Sequence, residues 1–162
     1  MYDVGDTVKD FTLESTSGTY TLSERTSNGY ALLYFYVVNF GKTCTDYMEV
    51  MNERMPDLKE RNVELVHINP ESIDNHRDWI RSTASLFEHL SDKGQLVSRE
   101  FDCIITKAKN EAFIGKTNRA FFLIDENLVI RYCWRADMPG DTIPMNELLA
   151  HIDTAIVYHK GE

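Results

Sequence analysis

A nine-residue apolar run, Tyr30–Val38, predicts a central strand that is covered on both faces. A short turn, residues 39–43, follows it, and apolar positions at helical spacing then predict a helix from about Cys44 to Lys59. Thr43 is the expected N-cap of this helix, and Pro56 is expected to end or kink it. The pattern therefore places Cys44 in the first turn of a helix that follows a buried strand.

The rest of the chain alternates between strand and helix patterns. Residues 11–22 predict an N-terminal hairpin; strands are predicted at 63–68, around 89–90, at 120–124 and at 128–134; helices are predicted at 74–83, near 95–101 and at 145–157. Alternating βα units favour a mostly parallel inner sheet, to which the last two strands add an antiparallel edge. We therefore expect one α/β domain, residues 1–162, built as a thioredoxin-like three-layer α/β/α sandwich with a mixed central sheet.

Charge and cysteine content narrow the function classes. The net charge of −9 offers no basic surface for nucleic acid or an anionic membrane. No apolar stretch approaches the roughly 20 residues that span a bilayer, and the N-terminus lacks the features of a signal peptide, so a cytoplasmic location is expected. Cys44, Cys103 and Cys133 form no C-x-x-C pair, and the histidines show no ligand spacing. We therefore expect free thiols, no metal and no other cofactor.

Cys44 is the candidate for chemistry. Unpaired N–H groups and the positive end of the helix dipole favour a thiolate over a thiol in the first turn of a helix. The alternative is that Cys44 is a small buried apolar residue in the core. The predicted strand-to-helix position favours the nucleophile.

Segments along almost the whole chain also carry a family pattern. They are the opening Val4-Gly-Asp-Thr-Val-Lys-Asp-Phe-Thr-Leu13, the strand Leu33-Tyr-Phe-Tyr36, the segment Val66-His-Ile-Asn69 with His76 and Trp79, and the final strands at 119–125 and 129–134. Together they resemble the peroxiredoxins, the alkyl hydroperoxide reductase and thiol-specific antioxidant (AhpC/TSA) family. The resemblance is closest to the subgroup related to bacterioferritin comigratory protein.

The peroxiredoxin active-site motif is Pro-x-x-x-Thr-x-x-Cys, with an arginine from a later strand. The resemblance places Cys44 and Arg119 in the two catalytic positions, and it implies that Arg119 stabilises the Cys44 thiolate and donates hydrogen bonds to the peroxide. An ordinary salt bridge is the alternative role of Arg119. Val37 stands in the proline position, Gly41 in the threonine position, and Tyr47 where a glutamate is often found. Loss of one transition-state donor can lower a rate by about 10²–10³, so an attenuated activity is expected.

Two functions follow from this incomplete motif, which lies in the loop that also contains Thr43. The first is a thiol peroxidase that reduces hydrogen peroxide or organic hydroperoxides through Cys44. The alternative is a catalytically degenerate protein that senses redox state or binds other proteins. A peroxidase would need a thiol to restore Cys44 after oxidation. Cys103 is the candidate internal resolving thiol, and a thioredoxin-like or small-thiol reductant is the alternative; a monomer and a homodimer are both compatible.

Overall fold

One seven-stranded sheet carries helices on both faces in the computed structural model, which describes residues 1–162. The strands are β1 (Thr12–Ser15), β2 (Gly18–Thr21), β3 (Tyr30–Phe35), β4 (Val63–Asn69), β5 (Glu88–Ser91), β6 (Ala120–Ile124) and β7 (Ile130–Arg135). The α-helices are α1 (Leu22–Arg25), α2 (Lys42–Glu53), α3 (Met55–Glu60), α4 (Ile73–Thr83), α5 (Leu96–Glu100) and α6 (Met145–Lys160). No helix of the structure combines the length and the apolar character needed to cross a membrane.

The strand order is β2-β1-β5-β4-β3-β6-β7, which confirms the mixed sheet and the N-terminal hairpin. The inner strands β5, β4 and β3 pair in parallel, as expected, and the closing β6–β7 hairpin adds the predicted antiparallel edge. β6 pairs antiparallel with β3, and β1 pairs antiparallel with β5. The chain enters β6 at the end at which β3 finishes, since Ala120 pairs with Phe35.

Side chains of β3 are buried on both faces of the sheet, as the apolar run predicted. Leu32, Tyr34 and Tyr36 belong to one apolar core, which also contains side chains from α2, α4 and α6. Leu33 and Phe35 belong to the other core, with side chains from α1, α5 and the N-terminal segment. Alternation along β3 thus separates two cores, and the face that carries Tyr34 is the face on which α2 packs.

Helix α2 begins at Lys42 with Gly41 as its N-cap, so the prediction that Thr43 caps the helix was wrong. Phe40 has a φ of 64°, and Gly41 is extended, with φ −72° and ψ 147°. The chain turns into the helix at Lys42, and Thr43 becomes its second residue, with an exposed side chain. The predicted interruption is confirmed: the helix breaks at Arg54, and Pro56 lies at the start of α3, where a missing N–H breaks no helical bond.

Candidate active site

The end of β3 and the start of α2 carry Cys44 to the edge of the sheet. Cys44 is the third residue of α2, and only 5% of its surface is exposed. The first helical hydrogen bond runs from the N–H of Thr45 to the carbonyl of Gly41, at 2.8 Å. No side chain caps this end of the helix, and its first turn contains no acidic residue. The positive end of the helix dipole therefore acts on the region of the Cys44 sulfur without a neutralising group.

Arg119, which is distant from Cys44 in sequence, contacts the same sulfur. It immediately precedes β6, whose first residue, Ala120, pairs with Phe35 at the end of β3. This register places Arg119 next to the carboxyl end of β3, beyond which the chain continues to Cys44. Both terminal guanidinium nitrogens of Arg119 lie 3.7 Å from the Cys44 sulfur. The structure therefore joins the two residues that the sequence placed in catalytic positions.

The Arg119 side chain is buried, with 1% of its surface exposed, and it has no carboxylate partner. Its Nη1 donates a hydrogen bond to the hydroxyl of Tyr34, and its Nη2 donates to the carbonyl of Pro139 at 3.3 Å. The guanidinium carbon lies 6.0 Å from the centre of the Tyr47 ring. Apart from the sulfur, the groups that make these contacts with the guanidinium are neutral.

Burial works against the charge of Arg119, but the interactions with Tyr34 and Cys44 outweigh it and raise the pKa of the guanidinium above its usual value. Burial also raises the pKa of the Tyr34 phenol, which is therefore protonated at neutral pH. A charge taken out of water is stable only when it is paired or well hydrogen-bonded. The partners that the structure gives the guanidinium are the Tyr34 hydroxyl, the Pro139 carbonyl and the Cys44 sulfur.

Family comparison agrees with this geometry. The model of the AhpC/TSA family matches residues 4–133 of the chain. The chain belongs to the AhpC/TSA family.

Relatives within this family include a peroxiredoxin 2 of Picrophilus torridus, which is 29% identical over 145 residues, covering 86% of this chain and 68% of the relative. Among solved structures, a cysteine-to-serine mutant of peroxiredoxin 6 of Arenicola marina matches with a TM-score of 0.86 and 16% identity, covering 94% of this chain and 73% of its own. A bacterioferritin comigratory protein of Xanthomonas campestris matches with a TM-score of 0.74 and 18% identity, covering 92% and 91% of the two chains.

These structural matches confirm the predicted thioredoxin-like sandwich. Membership of the AhpC/TSA family, together with the peroxiredoxin relatives, supports a thiol peroxidase function, as the resemblance implied. It does not favour the alternative of a degenerate module without turnover.

The loop between β3 and α2 departs from the AhpC/TSA motif but is held firmly. Val37 is buried. A β-carbon added at Gly41 would lie 3.1 Å from a methyl group of Val38, which is a tight contact. Phe40 is half-exposed, and its ring contacts that of Trp79, with the ring centres 5.0 Å apart. The loop therefore lacks the proline ring and the hydroxyl of the family motif.

Asn39 ties this loop to its surroundings. Its amide oxygen accepts a hydrogen bond from the Tyr36 hydroxyl at 2.5 Å. Its amide nitrogen lies 2.7 Å from the side-chain oxygen of Asn75 and 3.0 Å from Nδ1 of His76. A buried amide with satisfied donors and acceptors fixes the backbone that leads to Cys44.

The other two cysteines lie away from this AhpC/TSA site. Cys103 belongs to the core on the opposite face of the sheet, and its side chain is fully buried. Burial raises the pKa of the Cys103 thiol, so it remains protonated. Cys133 is partly buried against the same core, and burial together with a hydrogen bond to Asp3 raises the pKa of its thiol. The structure does not bring either thiol to Cys44.

Sequence analysis missed Tyr34 and the carbonyl of Pro139 as members of the site. Tyr34 lies in a run of buried aromatic residues, where the pattern indicates only core packing. The signal that was present is chemical: a tyrosine in the middle of a fully buried strand needs a partner for its hydroxyl. Nothing in the sequence indicates that the backbone carbonyl of Pro139 accepts a hydrogen bond from Arg119.

Proposed function

We propose that Cys44 is the nucleophile of a peroxiredoxin that reduces hydrogen peroxide or organic hydroperoxides, and that Arg119 is its charge partner. The supporting observation is the buried guanidinium of Arg119, which has both terminal nitrogens 3.7 Å from the Cys44 sulfur and no carboxylate partner. Such a charge is stabilised by a thiolate and not by a neutral thiol.

The proposed step is a displacement at oxygen. The Cys44 thiolate attacks one oxygen of the hydroperoxide, a sulfur–oxygen bond forms, and the oxygen–oxygen bond breaks. Sulfur loses two electrons and becomes a sulfenic acid, while the second oxygen leaves as hydroxide or alkoxide and takes up a proton. The guanidinium of Arg119 donates hydrogen bonds to the oxygen on which negative charge develops.

Recycling in this proposal uses an external thiol. Cys103 is buried in the other core, which argues against the internal resolving role expected for it from the sequence. A thioredoxin-like or small-thiol reductant attacks the sulfenic sulfur, water leaves, and a second thiol releases Cys44 from the mixed disulfide. The cycle needs one active site only, so it operates in a monomer or a homodimer. A cytoplasmic location, where thiols stay reduced, is part of the same proposal.

The test is the reaction of the reduced protein with stoichiometric hydrogen peroxide, followed by mass spectrometry of each cysteine. Oxygen should be added at Cys44 much faster than to free cysteine, and Cys44→Ser should abolish the fast phase. Cys103→Ser and Cys133→Ser are matched controls that should leave it unchanged. Oxidation of Cys44 at the rate of free cysteine would overturn the proposal.

A further inference from the structure

The Arg119 guanidinium makes contacts on both sides of its fork. A guanidinium has four terminal N–H groups, and here each terminal nitrogen has one partner besides the sulfur. Nη1 contacts the Cys44 sulfur and the Tyr34 hydroxyl, and Nη2 contacts the same sulfur and the Pro139 carbonyl. The two inner N–H groups therefore point to sulfur, and the two outer groups are anchored by neutral acceptors.

We infer that Tyr34 is a positioning residue, which holds the Arg119 fork so that both of its terminal nitrogens face the Cys44 sulfur. This inference rests on the proposed function for its catalytic meaning. Tyr34 acts through Arg119. Of the two outer hydrogen-bond acceptors of the guanidinium, the Tyr34 hydroxyl belongs to a side chain and the Pro139 carbonyl to the backbone.

The position of this anchor is fixed by packing. The Tyr34 ring stacks on Tyr36, with ring centres 5.4 Å apart, and on Phe121, at 4.7 Å. The His67 ring is nearly perpendicular to the Tyr34 ring, with the ring centres 5.0 Å apart. Tyr34 also lies within β3, hydrogen-bonded to strands on both sides. A hydroxyl held in this way cannot follow the guanidinium if it rotates.

The chemical nature of the anchor matters as well. A carboxylate in the same place would neutralise Arg119 and weaken its attraction for a thiolate. A neutral phenol accepts one hydrogen bond and leaves the positive charge to act on sulfur. Tyr34 therefore orients the guanidinium without competing with Cys44.

Tyr34→Phe isolates this role, because it keeps the ring and removes only the hydroxyl. One buried N–H of Arg119 then loses its acceptor, and the fork turns away from its two-point contact with sulfur. The rate of alkylation of Cys44 by iodoacetamide, measured against pH, should move to higher pH. The rate constant for hydrogen peroxide at pH 7 should fall about tenfold, the usual size of one charged hydrogen bond.

Tyr20→Phe is the matched control. Tyr20 is also fully buried, its hydroxyl has no partner, and it lies in the core on the other face of the sheet. This variant should leave the alkylation profile of Cys44 unchanged. Arg119→Lys keeps a positive charge but removes the fork, so it should displace the profile in the same direction as Tyr34→Phe.

A double-mutant cycle decides whether Tyr34 acts through Arg119. In an Arg119→Met background, Tyr34→Phe should have no further effect on alkylation. An additional shift in that background, or superimposed profiles of Tyr34→Phe and the unmodified protein, would overturn the inference. Alkylation does not require peroxidase activity, so slow oxidation of Cys44 by peroxide with an intact Tyr34 effect would reject the proposed function alone.

Discussion

Replacing Arg119 by methionine removes the one positive side chain in contact with the Cys44 sulfur. The two groups are 3.7 Å apart and both are buried. With an effective dielectric constant of about 20, a unit charge at that distance stabilises a thiolate by about 4.5 kcal/mol, since 332/(20 × 3.7) is about 4.5. With this attraction lost, the rate of alkylation of Cys44 at pH 7 should fall by up to about a thousandfold in Arg119→Met.

Alkylation by iodoacetamide measures this change directly, with mass spectrometry resolving each cysteine between pH 5 and 9. The Cys44 profile of Arg119→Met should be displaced strongly to higher pH. Arg135→Met is the control, because Arg135 donates to the carbonyl of Phe101 and offsets part of the rise that burial causes in the pKa of Cys103, in the opposite core. A Cys44 profile that is the same with and without Arg119 would refute the electrostatic reasoning.

Two further predictions test the loop and the buried histidines. Gly41→Thr restores the hydroxyl of the family motif and should raise the rate constant for hydrogen peroxide on the order of tenfold to a hundredfold; Gly41→Ala adds the same β-carbon without a hydroxyl, and an equal gain in both variants would contradict the reasoning. Burial lowers the pKa of His76 to about 4 and of His89 to about 3, and it holds the pKa of His67 well below its usual value. The unfolded state therefore binds more protons below about pH 6.5, so the free energy of unfolding should fall with falling pH, by up to about 4 kcal/mol per pH unit for three histidines. Urea unfolding at pH 7, 6 and 5 measures the slope. His67→Phe, which removes an imidazole without hydrogen-bond partners, should reduce it by about a third, and an unchanged slope would contradict the assignment.

The local elements were predictable because they depend on patterns within a few residues. The apolar run from Tyr30 predicts a doubly covered strand, and Pro56 marks the break between α2 and α3. The strand order was less accessible. Whether β6 pairs with β3 or with β5 depends on the path of residues 101–119, which leaves no periodic signal.

The site was predictable as far as its residues match a family motif. Cys44 and Arg119 were found in this way, 75 positions apart in sequence, and the structure places them in contact. Cys103 could not be assigned to a face of the sheet, because it follows α5 in an irregular segment. Tyr34 was missed because its burial in β3 is explained equally well by packing alone.

The departures from the family motif and the groups that contact Cys44 are different parts of the site. Val37 and Gly41 stand where the family places a proline ring and a hydroxyl, in the loop before the helix. In the proposed function, the charge at sulfur depends instead on Arg119, on the uncapped start of α2, and on neutral anchors such as Tyr34. The proposal therefore predicts that changes in the loop act on how a peroxide is placed, while Arg119 keeps its contacts with the sulfur. A low rate with peroxide and a fast rate with iodoacetamide are compatible in one protein, because the second reagent needs only the thiolate.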